Sequence, residues 1–286
     1  MQTVIVGWDR GEASWAALRW TVERSQDSTV LLMQVTDADL SSDPTASPES
    51  PAVGALAWLQ DDLARARNEH PHVKFDSELV SGDTVAELAR HSGDSTLVVV
   101  GSDRRQGGGF RYRWSIGAKL AARARGPVGV IPVGGNSNDG DIVVGVDGSP
   151  ASHAALEFAA READRTGAAV QAVLAWQESP VWLDATVPDV DYLQSLEVMY
   201  AELLDGALVD FQTRHPELQV LRRLTRGPAS KVLLDAAQTA RLLVVGNRAY
   251  RGVGRFFLGS VSRAVVAGTP CPVVVCANSA IDIHPR

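Results

Sequence analysis

The hydrophobic positions of this chain fall into short runs that recur in the same order in its two halves. Val4-Ile5-Val6-Gly7-Trp8-Asp9 and Ile142-Val143-Val144-Gly145-Val146-Asp147 are one signal written twice, 138 residues apart. Each is an apolar, β-branched run that ends in a turn, as a buried strand of a parallel sheet requires. Helical periodicity follows at the same offset. Ala13, Ala17 and Trp20 share one face, as do Ala155, Phe158, Ala159 and Glu162. Second strands are predicted over residues 30–35 and 170–176, each opening into an irregular stretch. In the first half this stretch is polar and proline-punctuated (41–51), which predicts a loop. In the second it carries Pro180, Trp182 and Pro188.

Beyond that stretch the repeat continues at an offset of 145. His70-Pro71 matches His215-Pro216, Gly82 matches Gly227, and Leu97–Gly101 matches Leu242–Gly246. Pro127-Val128 matches Pro272-Val273. The change in offset puts seven extra residues in the second half, between its first helix and third strand. A repeat of this length means two copies of one domain. Alternating strands and helices predict an α/β fold: two tandem copies of a doubly wound, mostly parallel five-stranded sheet flanked by helices. The expected divisions are 1–134, a turn-rich linker at 135–141, and 142–286.

Composition narrows the function classes. The 286 residues suit two domains, and 45% hydrophobic content provides a core for each. A net charge of −7 argues against broad nucleic-acid or anionic-membrane binding. The chain enters a strand pattern at Thr3, and no apolar run has bilayer length, so the expected compartment is the cytoplasm. Cys271 and Cys276 stand an odd number of residues apart on a predicted strand, hence on opposite faces, and are expected to be reduced.

Candidate chemistry gathers where strands end. In parallel α/β sheets ligands sit beyond the carboxyl ends of the strands, at the point where the strand order reverses. The turn at Asp147, the strand end at Ala175-Trp176 and the loop after Gly246 all belong to that edge. Leu242–Gly246 reads as a strand, the next residues as a glycine- and arginine-rich loop, and Gly259-Ser260-Val261-Ser262 as a helix start. Helix N-termini with small residues receive phosphate, because free N–H groups and the helix dipole converge there. Ser260 and Ser262 also suit plain helix capping. No Walker sequence, dinucleotide fingerprint, His-Glu-x-x-His motif or defensible Ser–His–Asp set occurs. A binding module fits this sequence better than an enzyme, and catalytic and metal residues are expected to be absent.

Ile142–Ser149, Leu243–Gly246, Gly259–Ser262 and Cys271–Val275 together resemble the universal stress protein family in its tandem, two-domain form, over nearly the whole chain. The family's ATP-binding members carry Gly-x-x-Gly-(nine residues)-Gly-(Ser/Thr). The matching residues here are Gly246, Ala249, Gly259 and Ser260, so Ala249 replaces one glycine. A Cβ there costs about 1 kcal/mol where backbone must approach phosphate or take positive φ. Arg248 and Arg251 are either compensating phosphate ligands or solvated loop arginines.

The resemblance implies that ATP or a related adenine nucleotide, with or without Mg2+, binds the second domain. It implies contacts from Gly145, Val146, Asp147, Trp176 (through its backbone), Val245, Gly246, Arg248, Ala249, Gly259, Ser260, Val261 and Ser262. Asp147 also suits a turn role, since Asp9 repeats it, and Trp176 also suits a buried sheet position. In the first domain Arg104 and Trp114 replace the corresponding small residues and Gly117 replaces Ser262, which implies a degenerate site. The expected function is a stress-response sensor or regulator. The alternative is a scaffold of the same fold that acts through dimerisation and protein partners. The resemblance further implies an internal pseudo-dimer through the last strand of each half, and leaves a homodimer open.

Overall fold

A computed structural model describes residues 3–25, 28–37, 51–103, 115–135, 139–178, 190–247, 257–268 and 270–277. The chain divides into two compact units, with the main boundary after Gly135 and with Phe257 and Leu258 grouped with the first. In the first unit the elements are β1 (Thr3–Gly7), α1 (Glu12–Val22), β2 (Thr29–Thr36), α2 (Pro51–Glu69) and β3 (Lys74–Ser81). They continue as α3 (Thr84–Arg90), β4 (Thr96–Ser102), α4 (Ile116–Arg123) and β5 (Val128–Pro132). The second unit repeats the series. It holds β6 (Ile142–Gly145), α5 (Pro150–Thr166), β7 (Val170–Trp176), α6 (Val190–Arg214), β8 (Val220–Arg226), α7 (Ala229–Ala236), β9 (Leu242–Asn247), α8 (Ser260–Gly268) and β10 (Val273–Ala277).

In the first unit the strand order is β3-β2-β1-β4-β5, and in the second β8-β7-β6-β9-β10. Among the described residues, every pairing between these strands within a unit is parallel. The order reverses between β1 and β4, and between β6 and β9, so each unit has the switch point that a doubly wound sheet uses for ligands. Central strands are buried on both faces, which explains their unbroken apolar composition: Val98, Val99, Leu242, Leu243 and Val244 are closed to solvent.

Register refines the duplication. Gly7 pairs with Met33 and Gly145 with Val173, so the offset between β2 and β7 is already 140. Two of the seven extra residues therefore enter before β7 and five after it. The helices exceed this count, since α5 spans 17 residues against 11 in α1 and α6 spans 25 against 19 in α2, so the second copy turns part of its connecting chain into helix.

Several paired features are structural in both copies. Gly82 and Gly227 adopt φ of +142° and +144°, which a side chain would strain, and donate to Thr36 and Trp176 carbonyls at 3.0 and 2.7 Å. His70 and His215 each close a turn through the carbonyl, accepting from Val73 and Leu218. Gly101 and Gly246 have a packing reason. A Cβ on Gly101 would lie 2.0 Å from the Ala13 carbonyl oxygen, and one on Gly246 would lie 2.5 Å from the Ala151 carbonyl carbon. The helix after the first strand crosses the neighbouring strand end so closely that only glycine fits.

Cys271 and Cys276 are both buried and are not bridged to each other, as the odd spacing predicts. Among the described residues, no helix is long and apolar enough to cross a membrane, and no group of three or more His, Cys, Asp or Glu could hold a metal.

Candidate functional site

A cavity of about 310 Å³ opens in the second unit where β6, β7 and β9 end and α5, α7 and α8 begin. That volume is at the small end of the range for ligand sites. Val146, Val173, Ala175, Leu233 and Val245 give it apolar walls, and Gly259-Ser260-Val261-Ser262 close one end with the start of α8. Asp147 is the one ionisable side chain among the described residues that line it. One end therefore suits a flat apolar group. At the other, Ser260, Val261 and Ser262 carry N–H groups of the first helical turn, which lack acceptors within the helix.

Nine of the twelve residues expected from the sequence come together here: Gly145, Val146, Asp147, Val245, Gly246, Gly259, Ser260, Val261 and Ser262. Arg248 and Ala249 lie outside the described residues, as do Arg251, Arg104 and Trp114. Trp176 does not line the cavity. Its ring is buried and stacks on Tyr200 of α6 at 5.6 Å and 21°, and its carbonyl accepts the Gly227 N–H. Alternation along the strand turns Trp176 into the core and leaves its neighbour Ala175 facing the cavity.

The geometry also separates the roles of the small residues. Gly246 is required by the α5 backbone whether or not a ligand binds. Gly259 is different. Among the described residues, a Cβ built there meets only the Ser262 hydroxyl, at 3.9 Å, an ordinary contact.

Asp147 forms a turn with its own chain. Its Oδ1 accepts the Ser149 N–H at 2.9 Å, and Asp9 accepts the Gly11 N–H in the same way at 2.8 Å. The carboxylate is nevertheless exposed at the cavity mouth, so turn formation and ligand contact are compatible. The serines divide as well. The Ser262 hydroxyl donates to the Gly246 carbonyl at 2.9 Å, tying α8 to the end of β9, while Ser260 is exposed.

Sequence reasoning missed Ser152, Val173, Ala229 and Leu233. Ser152 sits in the first turn of α5 with its hydroxyl on the Ser149 carbonyl. Ala229 and Leu233 belong to α7, which starts directly after the Gly227 turn. That repeated glycine marked a chain reversal at the ligand edge, and the residues after it were the available signal.

The sequence profile of the universal stress protein family matches residues 1–132 and 140–277. The universal stress protein Rv2005c of Mycobacterium tuberculosis is 30% identical over 297 residues, covering 96% of this chain and 97% of its own length. The universal stress protein Rv2623 of the same species is 29% identical over 300 residues, covering 96% of each. A universal stress protein structure from Archaeoglobus fulgidus superposes with a TM-score of 0.67 at 18% identity, covering 96% of both chains, a likeness of fold. Matched once in each half, the chain belongs to the universal stress protein family in its tandem form.

Proposed function

We propose that this chain binds ATP, or a related adenine nucleotide, in the cavity of its second unit and serves as a stress-response sensor or regulator rather than an enzyme. The observation that carries the reading is the pairing of apolar walls with an unobstructed helix start at Gly259. The walls suit a purine, and the first turn of α8 suits a phosphate. Arg248 and Arg251, in the loop between β9 and α8, are positioned by sequence to add positive charge. Asp147 would stand beside the ribose, and Ala249 would weaken binding without abolishing it.

Isothermal titration with ATP and ADP tests the proposal. The expected result is saturable binding by the parent chain and none by Gly259→Trp, whose indole would fill the open position. A parent chain that gives no binding at millimolar nucleotide overturns it. Bound ligand would also raise the thermal midpoint in proportion to its concentration over Kd.

The scaffold reading draws on a different observation: α6 leaves Val198, Met199 and Val209 exposed. Large apolar side chains grouped on one helix suit a protein partner. Under that reading the thermal midpoint would be indifferent to ATP with Mg2+. In either case the proposal includes a cytoplasmic setting and an internal pseudo-dimer of the two halves. Co-elution of the halves after proteolytic cutting between residues 135 and 141 is the expected outcome, and their separation would refute the pairing.

A further inference from the structure

The two copies anchor their last helix in different ways. In the first unit Ser115 caps α4 from within, its hydroxyl accepting the Ala118 N–H at 3.2 Å. In the second unit the matching serine, Ser260, is the first residue of α8, and the anchor comes from the strand. Asn247, the last residue of β9 and only 2% exposed, accepts the Gly259 N–H on its side-chain oxygen at 3.3 Å. One position before Asn247, Gly246 receives the Ser262 hydroxyl. These two hydrogen bonds clasp the base of the loop between β9 and α8.

The first copy lacks both partners. Ser102 stands at the place of Asn247 and Gly117 at the place of Ser262. A larger residue at 117 would be resisted there, since its Cβ would lie 2.7 Å from a Val130 methyl. The clasp therefore belongs to the half whose cavity is described above.

We propose that Asn247 is a positioning residue for anion recognition in this cavity, an inference that rests on the nucleotide reading. Gly259 has no side chain to hold, so its backbone is what the protein can grip. Asn247 grips it from the strand and fixes the first turn of α8 against the cavity. No side chain among the described residues caps the N–H groups of Ser260, Val261 and Ser262, which suits them to an anion. An asparagine suits this role where an aspartate does not. Both accept the Gly259 N–H, but a carboxylate would set a negative charge beside the incoming phosphate.

The test compares ATP with adenosine, which carries no phosphate, on the parent chain, Asn247→Ala and Asn247→Asp. Loss of one positioning hydrogen bond should weaken ATP about tenfold in Asn247→Ala. Asn247→Asp should weaken it further, while adenosine should change by less than about twofold in both. Asn247→Ser, which carries the first copy's residue, serves in place of Asn247→Ala if that variant does not fold, with the same expectation. Unchanged ATP affinity, or equal weakening of ATP and adenosine, overturns the positioning role while leaving the nucleotide reading intact. A parent chain that binds neither ligand overturns both.

Discussion

The Ser262 hydroxyl reaches back across sixteen residues to the Gly246 carbonyl, 2.9 Å away, so the helix that closes the cavity is fastened to the strand that opens it. Gly246 itself cannot carry a side chain, because the α5 backbone lies against it. Ser262→Ala should therefore lower the stability of the second unit by about 1 kcal/mol, the usual net worth of one buried hydrogen bond. Urea denaturation should show a lower midpoint with an unchanged slope. An unaltered midpoint would mean that the bond contributes nothing in solution.

Cys276 offers a prediction in pH. Burial pushes its thiol from the ordinary 9.0 up to about 12, against a smaller opposing pull from the Arg161 charge. The folded chain thus keeps this proton after the unfolded chain has lost it. The resulting stability is fully present below pH 9.0 and is lost as pH rises towards 12, at up to about 1.4 kcal/mol per pH unit. Cys276→Ala should remove that part of the alkaline slope. At pH 8 a chromogenic thiol reagent should titrate no cysteine in the native chain and both of them in denaturant, since both are buried and unbridged.

Asp62 is a buried carboxylate of the first unit, 6% exposed. It accepts the Trp8 indole N–H at 3.0 Å and pairs with Arg10, whose Nε lies 2.8 Å away. Arg10 occupies φ of +65°, where the second copy has Gly148 at +72°. Asp62→Ala should cost about 2 kcal/mol, chiefly because the Trp8 N–H is left buried without an acceptor, whereas half-exposed Arg10 can turn to water. Asp62→Asn keeps an acceptor for Trp8 and should cost about half as much. Equal losses in the two variants, measured by chemical denaturation, would show that the ion pair and not the indole carries the energy.

Much of the fold was legible because duplication repeats its own evidence. Val4–Asp9 and Ile142–Asp147 announce the same strand and turn, and Gly82 with Gly227 announces a reversal that both backbones adopt at matching φ. Residue type left some roles open. Trp176 stands at a strand end beside the ligand edge, but period-two alternation sends its ring into the core and gives the cavity to Ala175. Gly246 reads as part of a phosphate loop, yet its own helix already demands glycine, and Gly101 keeps it for the same reason. Gly227 marked the reversal that leads into α7, but which residues of that helix reach the site depends on how α7 packs over the sheet. That is a tertiary distance with no local signature.

The two glycines permit a test that separates folding from binding. At Gly246 a methyl would lie 2.5 and 2.6 Å from the Ala151 carbonyl carbon and oxygen, so backbone must move. Gly246→Ala should destabilise the second unit by about 1–3 kcal/mol, as overpacking does. At Gly259 the same methyl meets, among the described residues, only the Ser262 oxygen at 3.9 Å, an ordinary contact. Gly259→Ala should leave stability within about 0.5 kcal/mol of the parent. The methyl would instead occupy space at the start of α8 that a phosphate needs, and ATP affinity should fall about tenfold or more. Calorimetric unfolding and isothermal titration on the same two variants read both quantities. If Gly259→Ala binds ATP as the parent does, the cavity does not receive phosphate at α8. A stable Gly246→Ala would mean that α5 can retreat from β9 at little cost, and the packing reason for that glycine would be withdrawn.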